Sequence, residues 1–127
     1  MDAKSNTLNW FELPVADFER AKKFYETIFG VTLHVMDFGN FRMGLFPSEP
    51  GNGKLTGAIC FGEWYKPSQD GALIYFNANP DMQSVLDRIE KAGGKIIHPK
   101  KQISPEYGFM AMFIDTEGNR VALHSQN

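Results

Sequence analysis

Apolar residues recur along this chain with two different periods. Phe18, Ala21, Phe24, Tyr25, Ile28 and Phe29 fall on one stripe of a 3.6-residue repeat, which predicts a helix over Phe18–Phe29. Asp17 is placed to cap its free N–H groups, and Gly30 suits the left-handed position just past its end. Met82, Val85, Leu86, Ile89 and Ala92 form a second stripe. There Asn79 is the expected cap, Pro80 the first helical residue, and Gly93-Gly94 the stop. A strand-like run precedes each helix, Trp10–Val15 in one case and Ala72–Asn77 in the other. Three extended runs follow each: Val31–Met36, Phe41–Phe46 and Leu55–Phe61, then Lys95–His98, Phe109–Ile114 and Arg120–His124. Gly39-Asn40 and Glu117-Gly118-Asn119 supply turn chemistry between them.

The two halves share a spacing. Asp17 and Pro80 lie 63 residues apart, as do Gly30 and Gly93. The pattern is therefore βαβββ twice, an α+β fold in which 1–127 is one domain of two repeats, about 8–62 and 71–125. Two four-stranded sheets of this size are expected to pair with each helix on an outer face and the inner faces enclosing a cleft. The loops Ser48–Lys54 and Gly62–Gly71, rich in Gly, Pro and Ser, are expected to rim it.

Composition narrows the function. Aromatic residues make up 13% of the chain, enough to bury a core that a disordered chain lacks. A net charge of −2 argues against non-specific nucleic-acid binding. The single cysteine, Cys60, excludes a disulfide framework or a multi-thiolate metal site within one chain, and its apolar neighbours suggest a buried thiol. No apolar run approaches the ~18 residues of a membrane span, and the polar first residues carry no secretory signature. The expected address is the cytoplasm, with no membrane or nucleic-acid partner.

Pro14-Val15-Ala16-Asp17 leading into Arg20-Ala21, Phe24-Tyr25 and Phe29-Gly30, with the closing Asp115-Thr116-Glu117-Gly118-Asn119, resembles the vicinal oxygen chelate superfamily. That group includes glyoxalase I, bleomycin-resistance proteins, fosfomycin-resistance enzymes and extradiol dioxygenases. The resemblance spans roughly Leu8 to Ser125, and it specifies the fold more than the reaction. For the metal-dependent members it implies His or Gln on the first strand of each module and Glu on the last, holding a divalent ion that polarises substrate oxygens. Counted from Asp17 and Asp115, and through the offset of 63, those positions are Trp10, Leu73, Ala122 and Ile59. None of these is a ligand. A slip of one residue offers Asn9 or Phe11, Ala72 or Ile74, Val121 or Leu123, and Cys60, which is little better. No cofactor is expected, and a divalent metal only as a relocated site.

Other residues retain chemistry. Glu12 follows Trp10 by two, so a strand points both to one side. A carboxylate in an apolar cleft can act as general acid or base, or be simply an ion-pair partner. His124 follows Ala122 in the same way, and Glu12 with His124 would form a proton-transfer pair at the cleft mouth or two ligands of a displaced metal. The bland alternative for His124 is an exposed side chain near the terminus. Tyr75, the repeat counterpart of Glu12, and Leu73 are expected to line the cleft together with Trp10, Ile59, Ala122 and Phe61. Trp64 and Tyr65 would cover the pocket or make a subunit contact.

These residues suggest a metal-independent protein of the glyoxalase and bleomycin-resistance type, binding a small organic molecule in its cleft and pairing as a homodimer. A metal-dependent lyase or isomerase resembling lactoylglutathione lyase needs relocated ligands. An extradiol dioxygenase-like oxidoreductase needs two histidines and a carboxylate around iron.

Overall fold

The computed structural model describes every residue from Met1 to Asn127. The elements follow as β1 (Trp10–Pro14), α1 (Phe18–Phe29), β2 (His34–Asp37), β3 (Phe41–Leu45) and β4 (Thr56–Gly62), then β5 (Tyr75–Asn77), α2 (Gln83–Ile89), β6 (Lys95–Ser104), β7 (Gly108–Ile114) and β8 (Arg120–Ser125). They form two four-stranded sheets of identical topology, ordered β1-β4-β3-β2 and β5-β8-β7-β6. In each sheet the first strand lies parallel to the last, and the other pairs are antiparallel. The repeat is thus βαβββ twice. No helix is long and apolar enough to cross a membrane.

Helix α1 has the limits its caps dictate. The Asp17 carboxylate accepts from the Arg20 amide at 3.1 Å, and Gly30 closes the helix in the left-handed region at φ 64°. Helix α2 is shorter than its stripe suggests. Asn79 does not cap it, because its side-chain oxygen is taken by the Gln126 amide at 2.8 Å. The helix starts only at Gln83, whose amide donates to the Asp81 carboxylate at 2.9 Å. The run from Ala72 likewise becomes strand only from Tyr75, whereas β6 extends past His98 to Ser104 with three irregularities in its pairing.

Both helices lie on the side of the sheets opposite Trp10, Glu12, Tyr75 and Asn77, and they share one core. A single cluster of 18 buried residues takes in both helices and one side of each sheet. Leu13 and Ile59 from the first sheet and Phe113, Val121 and Leu123 from the second all belong to it. Phe24 of α1 meets Phe113 of β7 at 6.0 Å between ring centroids, and Tyr25 meets Phe76 of β5 at 5.7 Å. Burying each large side chain of the α1 stripe contributes roughly 1.5–3 kcal/mol. Helix α1 takes its apolar partners from both modules, which joins them in one core.

A buried polar latch holds the modules in this relation. Glu117, in the β7–β8 turn, accepts from the backbone amides of Ala16 and Asp17 at 3.0 and 2.7 Å, at the start of α1. Arg20 donates to it through Nε at 2.8 Å and Nη2 at 3.1 Å. Burial pushes the Glu117 carboxyl up, but Arg20 and the hydrogen-bond donors around it outweigh that and hold it below its ordinary value. Asp115 accepts from the Tyr25 hydroxyl at 2.6 Å and from the amides of Glu117 and Asn119. For Asp115 burial prevails over these donors, and its pKa is raised. Asn119 completes the latch by donating to the Pro14 carbonyl at 2.7 Å.

A candidate binding groove between two sheet edges

Strand register fixes which side chains share a side. Trp10, Glu12, Ala58 and Cys60 alternate away from the core side, where Leu13 and Ile59 lie paired. In the second sheet Tyr75, Asn77, Ala122 and His124 point away from the core in the same way. Strands β1 and β5 are both edge strands, and no ladder joins them. Between them runs a groove of about 890 Å³. Close packing of β4 against β1 shapes one wall: a Cβ on Gly57 would strike the carbonyl and ring of Phe11.

The floor is aromatic. Phe11, Phe29, Phe46 and Phe76 all line it. Phe76 contacts Phe11, Phe29 and Phe46 with centroids 5.5, 5.1 and 5.2 Å away. The β1 wall presents Trp10 and Glu12, and the β5 wall presents Tyr75 and Asn77. Ala72, Leu73 and Ile74 line the approach to β5, while Pro47 and Leu55 bring in the ends of the loop between β3 and β4. Such a surface suits a flat or apolar molecule held by few polar contacts.

Glu12 is the only charged residue lining the groove. Its carboxylate is oriented by two donors: Trp10 Nε1 at 3.3 Å to Oε2, and Tyr65 Oη at 2.9 Å to Oε1. Tyr65 therefore brings the Gly62–Gly71 loop onto this side of the first sheet. Burial pushes the Tyr65 hydroxyl up to about 12, assisted by its bond to Glu12. Burial also pushes the Cys60 thiol up to about 12, with the charge of Glu12 adding to it. At neutral pH Cys60 is a protonated, buried thiol with little nucleophilic character.

The sequence-derived site residues separate in the fold. Trp10, Glu12, Leu73 and Tyr75 line the groove. Ile59 does not. It is fully buried on the core side beneath the helices. Phe61 shares that side of β4 and lies outside the groove, 39% exposed. Ala122 is buried on β8, behind Tyr75 and Met112 in the sheet register, and is also outside it. His124 Nε2 lies 2.6 Å from the Tyr107 carbonyl. No hydrogen bond or ion pair joins it to Glu12, whose neighbours are Trp10 and Tyr65. The two belong to different sheets, and each has other hydrogen-bond partners.

One residue explains the misplacement of Ile59. Glu12 pairs with Ala58 and Tyr75 with Ala122, so Ala58 is the true counterpart of Ala122. The repeat offset is 63 between β1 and β5 but 64 between β4 and β8. A one-residue slip in a strand moves a side chain to the opposite face. With that correction the four positions implied for metal ligands hold Trp10, Leu73, Ala58 and Ala122. These side chains do not fit a metal, and no three His, Cys, Asp or Glu residues converge elsewhere in the chain. The sequence reading missed the aromatic floor, because Phe29 and Phe76 have the periodicity of ordinary core residues. It also missed Asn77.

Residues 7–43 match the family model described as bleomycin resistance protein-like N-terminal. A glyoxylase-like domain-containing protein of Didymella fabae is 28% identical over 119 residues, covering 91% of each chain. Among solved structures, an E144Q mutant of glyoxalase I from Zea mays superposes with a TM-score of 0.70 at 19% identity, covering 94% of this chain. The chain spans 46% of that maize protein's length. TnmS3, an antibiotic binding protein from Streptomyces sp. CB03234, matches over 96% of this chain and 97% of its own, with a TM-score of 0.62 and 22% identity. A glyoxalase/bleomycin resistance protein from Albidiferax ferrireducens T118 covers 96% and 100%, with a TM-score of 0.68 and 16% identity.

Proposed function

We propose that this chain, which has the fold of the vicinal oxygen chelate superfamily, binds a flat, largely apolar organic molecule in the groove between β1 and β5, without the metal that serves other members. The observation that carries the reading is the groove itself. About 890 Å³ is open between two strand edges, and its floor is built from four phenylalanines. A ligand-sized cavity of ~300–1,000 Å³ with an apolar lining and a few polar groups is the usual form of a small-molecule site. The antibiotic-binding TnmS3 shows that a protein of this fold can serve as a binder.

The lyase-like and dioxygenase-like readings lack a donor set. Glu12 is one carboxylate where three or more ligands are needed. A homodimer accompanies the proposal, on the general preference of small domains for twofold pairing. Exposed Trp64 and Tyr107, at 67% and 63%, are surface anchors for such a contact. The proposed location is the cytoplasm.

Calorimetric titration with an uncharged three-ring probe, 9-anthracenemethanol, tests the reading. Micromolar binding that is abolished by Ala72→Trp, which fills the groove, is the expected result. Equal affinity in both proteins would place the ligand elsewhere and refute the groove as the site.

A further inference from the structure

We infer that the groove selects cationic aromatic molecules over anionic ones, with Glu12 as the specificity-determining residue; the inference rests on the groove being a binding site at all. Among the lining residues no lysine, arginine or histidine appears, and Glu12 supplies the only charge. An anion entering would lose hydration against an aromatic floor and meet a carboxylate with no compensating cation. A cation meets the reverse: an anionic wall and the negative faces of Trp10 and Tyr75, both partly exposed at 39% and 48%.

The geometry of Glu12 favours this use. Its two partners, the Trp10 indole N–H and the Tyr65 hydroxyl, are neutral donors, so they orient the carboxylate without neutralising it. Each oxygen accepts one of these bonds, and a carboxylate oxygen has room for about two. The Cys60 thiol is a third neutral neighbour, and of about four acceptor positions one remains for a ligand N–H. Across the groove Asn77 Oδ1 is already taken by the Asn79 amide at 2.9 Å, which leaves the Asn77 side-chain N–H₂ group as a donor. The groove therefore offers an anionic acceptor on the β1 wall and a neutral donor on the β5 wall. The matching ligand is a planar aromatic with a protonated amine, amidine or ring N–H at one end and a carbonyl or ether oxygen toward the other.

Three probes of equal ring count separate the possibilities: the cation 3,6-diaminoacridine, neutral 9-anthracenemethanol and the anion 9-anthracenecarboxylate. Each is titrated calorimetrically into the unaltered protein and into Glu12→Gln at low salt. The expected order is cation, then neutral, then anion, with about tenfold or more between the first and last, as a partly exposed charge interaction allows. Glu12→Gln should remove most of that gap, chiefly by weakening the cation, while leaving the neutral probe within about threefold. Equal binding of cation and anion to the unaltered protein would overturn the charge selection yet leave the groove as a site. A cation preference that survives Glu12→Gln would overturn the role of Glu12. Failure of all three probes to bind would overturn the groove reading itself.

Discussion

Removing the Glu117 carboxylate probes whether the latch between modules sets the fold. In Glu117→Ala the backbone amides of Ala16 and Asp17 lose their acceptor, and Arg20 loses both bonds to the turn. The Arg20 side chain is 52% exposed and returns to water, so little of the loss comes from it. The Glu117 side chain is fully buried, and each unsatisfied amide near it costs about 1–3 kcal/mol. For the two amides the sum is about 2–6 kcal/mol. For 127 residues the unfolding entropy corresponds to about 4 °C per kcal/mol, so Tm should fall by roughly 8–24 °C. Glu117→Gln keeps an oxygen for the amides but loses the charge and the acceptor for Arg20 Nε and the Thr116 hydroxyl, about 1–2 kcal/mol. The pH dependence adds a second test. The folded pKa of Glu117 lies below its ordinary 4.5, so its stabilisation is complete above pH 4.5 and is lost as pH falls through the folded value. Asp115 acts in the opposite sense, since its raised folded pKa makes its contribution decline as pH rises above 3.8. Glu117→Gln should therefore flatten the acid-side loss of stability without removing the Asp115 slope. Differential scanning calorimetry from pH 3 to 7 reads both effects. A Tm within about 2 °C of the parent in both variants, with an unchanged acid limb, would refute the latch.

Three further outcomes are expected. Tyr25→Phe takes the hydroxyl donor from buried Asp115 and should cost about 1–2 kcal/mol in chemical denaturation, with far-ultraviolet circular dichroism unchanged. Gly57→Ala places a methyl against the Phe11 carbonyl and ring, and should destabilise by about 2–4 kcal/mol in the same assay while weakening 9-anthracenemethanol binding through the displaced β1 wall. Cys60, buried and with its thiol pushed up to about 12, should resist a disulfide reagent at pH 8 in the folded protein and react with one equivalent in denaturant; rapid reaction in the folded state would contradict its burial.

Local signals in the sequence were strong enough to define α1, where an aspartate cap, an apolar stripe and a glycine stop coincide. They also sufficed for the repeat and for the number of strands that follow each helix, though not for the limits of β2 and β6. They failed at α2, because Asn79 resembles a cap yet spends its side chain on Gln126, a partner 47 residues away. The sharing of one core by both modules was not legible either. Apolar stripes show which side of a helix is buried and not which sheet buries it, and here α1 draws on both. In the candidate site, Trp10, Glu12, Leu73 and Tyr75 were legible because the offset of 63 holds from β1 to β5. Ile59 was misplaced where the offset becomes 64 and the strand period of two inverts the face. The link from Tyr65 to Glu12 spans 53 residues through an irregular loop, and no periodicity encodes it.

Amide and aromatic-proton NMR of the isotope-labelled chain, recorded while 9-anthracenemethanol is added, tests small-molecule binding in the groove most directly. Saturable shifts should concentrate on Trp10, Glu12, Phe46 and Tyr75–Asn77, with ring-current changes in Phe11 and Phe76. Shifts confined to Met110, Met112 and His124 on the outer side of the second sheet, or none at millimolar probe, would contradict it.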